Sequence, residues 1–146
     1  MFKKNVKKAI VLVCLLSLFD TGVMTVHARN YPYKFKFEDD VNPQHTDYFA
    51  KSDHDSFWYI STKKYDYDTF PKKKNTLSST NIFGCRMHRD KNDNVDGYHT
   101  FSNYIDSYPI EYRNKVRAGD NMRLFGKKDD SSTSSKALKI SGWFAP

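Results

Sequence analysis

From Tyr31 to Phe37 the chain alternates rings with lysines. Tyr33, Phe35 and Phe37 fall on one side, and Lys34 and Lys36 on the other. A period of two predicts a half-buried strand, and Pro32 stands near its start, where a missing N–H is tolerated. Ser56 to Thr62 is apolar on both sides, which predicts a central strand. Tyr65, Tyr67 and Thr69 alternate with Asp66 and Asp68 and predict a short third one. Ile82–Arg89 and Tyr98–Ile105 read as a hairpin turning at Asn92-Asp93-Asn94 or at Asp96-Gly97. Met122–Phe125 and Lys136–Phe144 supply the last strands, separated by the Ser-rich segment 129–135. No stretch repeats its apolar residues with a helical period, although Tyr108 to Val116 suits a helical turn. Six or seven short strands predict an all-β fold, a small antiparallel sandwich or barrel. Alternation nominates Phe35, Phe37, Phe57, Tyr59, Met122, Leu124, Leu138 and Ile140 for the core. The face taken by Trp58 and Ile60 stays open, because a one-residue slip inverts every assignment.

The pattern changes character before Arg29. Lys3, Lys4, Lys7 and Lys8 precede an apolar run from Ala9 to Phe19, and Val26-His27-Ala28 ends in a small residue. This is the layout of a secretory signal peptide. The apolar run has 11 residues and meets Asp20 at once, whereas crossing a bilayer takes about 20. The expectation is a signal peptide over 1–28, one β domain over 29–146, secretion to the extracellular space and no stable membrane anchor. Cys14 sits inside the apolar run and reads as a small hydrophobe there.

Removing the leader changes the charge. Four lysines and one aspartate leave with it, so the net charge falls from +7 to +4. A balance this modest mainly serves solubility. Cys85 then remains as the single cysteine, which excludes an internal disulfide. Phe83, Cys85 and Met87 share one side of their strand, so Cys85 is expected to be buried and apolar. Of the 23 aromatic residues only Phe2 and Phe19 precede Arg29. The core must therefore be built largely from rings, which suit a pleated surface.

Both ends of the expected domain carry short motifs. Asn30-Tyr31-Pro32-Tyr33-Lys34-Phe35-Lys36-Phe37 opens it, and Ile140-Ser141-Gly142-Trp143-Phe144-Ala145-Pro146 closes it. Tyr112-Arg113-Asn114, Ala118-Gly119 and Met122-Arg123-Leu124 lie between. Together they resemble a family of small secreted proteins of Gram-positive bacteria known as a domain of unknown function. It pairs an N-Y-x-F-x-F-like start with a G-x-W-x-P-like end. The resemblance implies a secreted β domain and nothing catalytic. Some members lie near bacteriocin-like export systems, which makes a small antibacterial protein the alternative reading.

Candidate chemistry is sparse. A hairpin turning between Asp93 and Asn94 would set His88 opposite His99, where two imidazoles could clamp a metal. A period of two puts Cys85 on the other face from His88 and out of such a site. Asn92 to Gly97 partly follows a calcium loop but lacks its first Asp and its bidentate Glu. Asp39 with Asp53 would be a carboxylate pair, and Cys85 with His54, His88 or His99 a hydrolase pair. No local motif supports either, and no cofactor is implied. The expectation is a non-enzymatic binding or effector protein, with a secreted hydrolase a distant alternative. Lys72, Lys73, Lys74, Lys127 and Lys128 form two basic loop clusters, and Trp143 is a candidate anchor. An anionic surface polymer or a protein of a host or competitor cell would be the partner; nucleic acid is not expected. Two rings near the end of the chain also predict a docked last strand. A bulge at Gly142 would turn Trp143 inward and leave it at least half buried.

Overall fold

The computed structural model describes residues 29–66, 73–90 and 93–146. The expected leader, Cys14, Tyr67, Thr69, Lys72 and Asn92 lie outside these residues. The fold is all-β, with two antiparallel sheets that do not close into a barrel, and no helix occurs among the described residues. In chain order the strands are β1 (Tyr31–Phe37), β2 (Gln44–His45), β3 (Phe49–Ala50), β4 (Phe57–Thr62), β5 (Phe83–Arg89), β6 (Asp93–Asn94), β7 (His99–Phe101), β8 (Ile105–Glu111), β9 (Asn121–Lys128) and β10 (Leu138–Ala145). The first sheet runs β1-β10-β4-β8. The second runs β2-β9-β5-β6, with β3 also on β9 and β7 also on β5.

The ends of the domain tie each other down. β1 and β10 pair along their length, from Tyr31 opposite Phe144 to Phe37 opposite Leu138. The alternating rings of β1 face inward, as the pattern predicts: Tyr33, Phe35 and Phe37 are buried. They meet Phe83 of the second sheet at ring-centroid distances of 6.0–6.3 Å. The second sheet contributes Phe83, Cys85, Met87, Met122 and Leu124, all fully buried. Cys85 is the expected apolar cysteine, and burial pushes its thiol well above the ordinary range.

Several expectations are corrected. Trp58 and Ile60 take the inner face, while Phe57 is 38% exposed and Tyr59 lies on the outer side. The neighbours decide this: Ile60 stands opposite Phe144 and Trp58 opposite Ile110, so the whole strand follows their parity. Tyr108 to Val116 begins in strand β8 rather than in a helical turn. Tyr65 joins a bridge to Lys74, and the rest of the expected third strand lies outside the described residues.

Gly142 is no bulge either. Register runs unbroken through it, opposite Tyr33 on one side and Thr62 on the other. A Cβ there would lie 1.9 Å from the Ser61 carbonyl oxygen, so the position admits no side chain. Across it the Tyr33 hydroxyl donates to that same carbonyl at 2.8 Å. Trp143 therefore keeps its outward parity and is 40% exposed. It is more than half covered, as expected, but from the solvent side of the sheet.

Candidate anion-binding face

The cations and rings on the outer side of the second sheet come mainly from three of its six strands and the loops beside them. Its centre is β5, which turns Gly84, Arg86 and His88 outward while Phe83, Cys85 and Met87 go to the core. β9 lies beside it and turns Arg123, Phe125 and Lys127 to the same side. The register sets Lys127 opposite Gly84, Phe125 opposite Arg86 and Arg123 opposite His88. β2 adds His45 opposite Phe125.

Each cation on this face lies over a ring. The Arg86 guanidinium sits 4.7 Å above the centre of Phe125, and that of Arg123 sits 4.7 Å above Tyr48. The Lys127 ammonium is 5.9 Å from the centre of Tyr98, which itself occupies the space above Gly84. Such pairs are worth about 0.5–1 kcal/mol at exposed sites and hold a cation in a defined place. The histidines complete the layer. His88 stacks on Phe125 with centroids 5.1 Å apart and meets His45 at 5.4 Å, which leaves it 3% exposed. Arg86 Nε donates to His88 Nε2 at 2.9 Å, so that nitrogen carries no proton.

The electrostatics have one sign. The outward positions of the paired strands are Gly84, Arg86, His88, Asn94, Thr100, Asn121, Arg123, Phe125, Lys127, His45 and Ala50, with no acid among them. Carboxylates appear at the rim, where Asp130 accepts from Lys127 at 2.5 Å and Asp129 from the Tyr98 hydroxyl. The excess is felt by His45. Partial burial lowers its pKa, and the charges of Arg123 and Arg86 lower it further. Arg123 and Lys127 are four residues apart on one strand, about 13 Å. A ligand reaching both must carry several anionic groups along its length.

Other residues singled out in the sequence fall elsewhere. His99 stands opposite Cys85, while His88 stands opposite Asn94. The two histidines therefore occupy opposite faces of the sheet, and the expected clamp does not form. The cause is a shift of register: Val95 and Asp96 turn into the sandwich between β6 and β7. Among the described residues no group of three or more His, Cys, Asp or Glu could hold a metal. Asp96 is a structural acceptor instead of a calcium ligand. Its carboxylate takes the Trp58 indole N–H at 2.8 Å and the Met87 N–H at 2.9 Å. Burial raises its pKa to about 7 against the help of those bonds.

Asp39 accepts from Val41 and Asn42 within its own turn, and Asp53 accepts from Lys51 at 2.7 Å. Lys127 and Lys128 are the end of β9 rather than a loop. Lys128 is buried, and its ammonium donates to the carbonyls of Ser134 and Lys136. It is therefore withdrawn as a surface binding residue. Lys73 and Lys74 are exposed, and Lys74 borders a polar cleft of about 730 Å³ with Lys64 and Lys136. Of the described lysines named from the sequence, Lys127 alone belongs to the face described above, where it joins His88.

Arg86, Arg123, His45, Tyr48 and Phe125 escaped the reading of the sequence. The signal was present as the polar side of two strands, Arg86-x-His88 and Arg123-x-Phe125-x-Lys127. Clusters of consecutive lysines drew attention that this alternation did not. Comparisons with protein-family models, curated proteins and solved structures give no match for this chain.

Proposed function

We propose that this protein is an extracellular, non-catalytic binding module whose second sheet holds a phosphate- or sulfate-bearing polymer of a cell surface. The observation that carries the reading is the outer face on which Arg86, Arg123 and Lys127 each lie over a ring, with no acid at its paired strand positions. Guanidinium groups match phosphate and sulfate with paired N–H donors, and they shed their hydration more readily than an ammonium does. Rings beneath them add apolar area that lets a polymer backbone lie flat. The extracellular address rests on the charged, apolar and small-residue sequence of positions 1–28.

The test is binding of long-chain polyphosphate and of uncharged dextran, measured by calorimetry at several salt concentrations. The expected result is salt-sensitive binding of polyphosphate, none of dextran, and loss of binding in an Arg86→Ala/Arg123→Ala variant. Polyphosphate binding that is unchanged in that variant would overturn the reading.

A further inference from the structure

A second site is built at the open edge of the sandwich, between β7 of one sheet and β8 of the other. His99, Tyr112 and Arg113 line a cleft there of about 530 Å³, walled on its apolar side by Tyr108 and Ile110. Three features set it apart. First, Arg113 is held at the cleft by its backbone and by its packing. Its backbone N–H is fixed to the Val95 carbonyl at 2.8 Å. Its guanidinium packs so closely on Gly97 that a Cβ there would meet it at 2.5 Å. That guanidinium is exposed, and its charge acts on both Asp96 and His99, drawing the pKa of each downward. Arg89, by contrast, is spent on Asp93, Asp120 and the Lys115 carbonyl.

Second, the Tyr112 hydroxyl is buried without a partner on a side chain only 9% exposed. Burial, with the charges of Asp96, Asp53, Asp55 and Asp120, raises its pKa well above the ordinary value, so it remains a donor. A buried hydroxyl with no partner is costly, and a ligand oxygen that accepts from it removes that cost. Third, His99 turns one nitrogen inward. Nε2 is buried 3.7 Å from Asp96 Oδ2 and makes no hydrogen bond, while about a third of the side chain stays exposed at the cleft. Asp96 accepts from Trp58 and Met87, and the Arg113 charge works against the burial that raises its pKa, without a direct ion pair. Glu111 also borders the cleft, but it stands opposite Phe57, on the outward parity of β8.

We propose that this cleft is an oxyanion site that takes the phosphate or carboxylate group of a small ligand, with Arg113 as the primary contact and His99 and Tyr112 beside it. The guanidinium supplies a planar pair of N–H donors, the geometry that either group accepts. The apolar walls from Tyr108 and Ile110 would shelter the rest of the ligand, as pockets with a few convergent polar groups do. The site stands apart from the face proposed above, so the two readings fail independently.

Titration of the full-length protein with inorganic phosphate, followed by NMR of the histidine rings and arginine Nε–H groups, tests it. The expected result is a saturable shift of His99 and Arg113 resonances in the millimolar range. That shift should vanish in Arg113→Ala, weaken at least about fivefold in Arg113→Lys, and persist in Arg86→Ala/Arg123→Ala. The His45 signal reports the other face in the same sample, and the remaining amide spectrum confirms that each variant is folded. A parallel titration with acetate separates the two chemistries: a saturable response to acetate alone assigns the site to carboxylates, and one to phosphate alone to phosphates. No saturable response of His99 to either anion, or a response that survives Arg113→Ala, overturns the proposal.

Discussion

The two outer faces of this sandwich are made of similar residues and arranged differently. On the first sheet Lys34, Lys36 and Lys139 share one half of the outer side, and Phe57, Tyr59 and Trp143 the other. Lys34 is spent on Asp66 and Lys36 on Glu38. Charge and rings stand side by side there without touching. On the outer side of the second sheet the cations are mostly arginines, each lies over a ring, and the paired strands turn no acid to that side. The difference teaches that basic and aromatic content does not make a site. A site needs cations that are placed over rings and set on a face whose outward strand positions bring no acid.

The largest expected effect comes from exchanging charges between the two faces. Arg86→Ala/Arg123→Ala should weaken polyphosphate binding at least about tenfold, about 1.4 kcal/mol at fixed salt. Lys34→Ala/Lys36→Ala/Lys139→Ala removes one charge more and should change the affinity less than about threefold. Calorimetry at one ionic strength reads both. The opposite ranking would mean that net charge alone governs binding, and the comparison would break.

A pH series sharpens it next. The charges of Arg86 and Arg123 oppose protonation of His45, and a bound polyanion offsets them. Binding therefore takes up protons, and affinity should rise several-fold as pH falls from about 7.5 to 5.5. In the free protein the same depressed pKa acts in the other direction. The unfolded chain holds the extra proton below pH 6.5, so this group lowers stability as pH falls.

Asp96 must be separated from that effect. Its carboxyl has a folded pKa of about 7 against an ordinary value of 3.8, so between these values the folded state holds the proton and the unfolded state does not. Its contribution to stability is therefore present at low pH and lost as pH rises through that window. Asp96→Asn should flatten the Tm profile over this range while leaving the pH dependence of polyphosphate affinity in place. It should also lower Tm at pH 5, because an amide cannot accept from both Trp58 and Met87.

The ring beneath the guanidinium gives a smaller effect. Phe125→Leu keeps an apolar side chain but removes the π face under Arg86 and the stacking partner of His88. Polyphosphate affinity should fall about two- to fivefold, the scale of one exposed cation–π contact. An unchanged affinity would show that the rings only fill space. The smallest effect belongs to the first sheet. Trp143→Ala should cost about 1 kcal/mol or less in thermal unfolding and leave polyphosphate affinity unchanged, because the indole is outward and 40% exposed. A loss of several kcal/mol would show that this ring is structural despite its exposure.

Much of the fold was legible in the chain. The alternation of Tyr33, Phe35 and Phe37 with lysines set the inner face of β1, and that of Leu138 and Ile140 set the inner face of β10. Phe83, Cys85 and Met87 were readable in the same way. These assignments succeed because a half-buried strand sorts its residues between oil and water with a period of two. Ser56 to Thr62 carried no such contrast. Apolar on both sides, it left its face to be chosen by Phe144 and Ile110 across the sheet.

The candidate sites were much less legible, because they depend on register between strands distant in sequence. His88 and His99 looked like partners under one turn and proved to face opposite ways under another. Arg86 reaches Phe125 across 39 positions and Arg123 reaches Tyr48 across 75. The chain alone determined the class of the fold, the ring-rich core and the buried cysteine, since each follows from local alternation. Only the tertiary structure decided which cations lie on rings, which lysine is buried and which arginine lines a cleft. Those outcomes are set by which strands become neighbours, and pairing energy is shared over whole strands rather than written at any one residue.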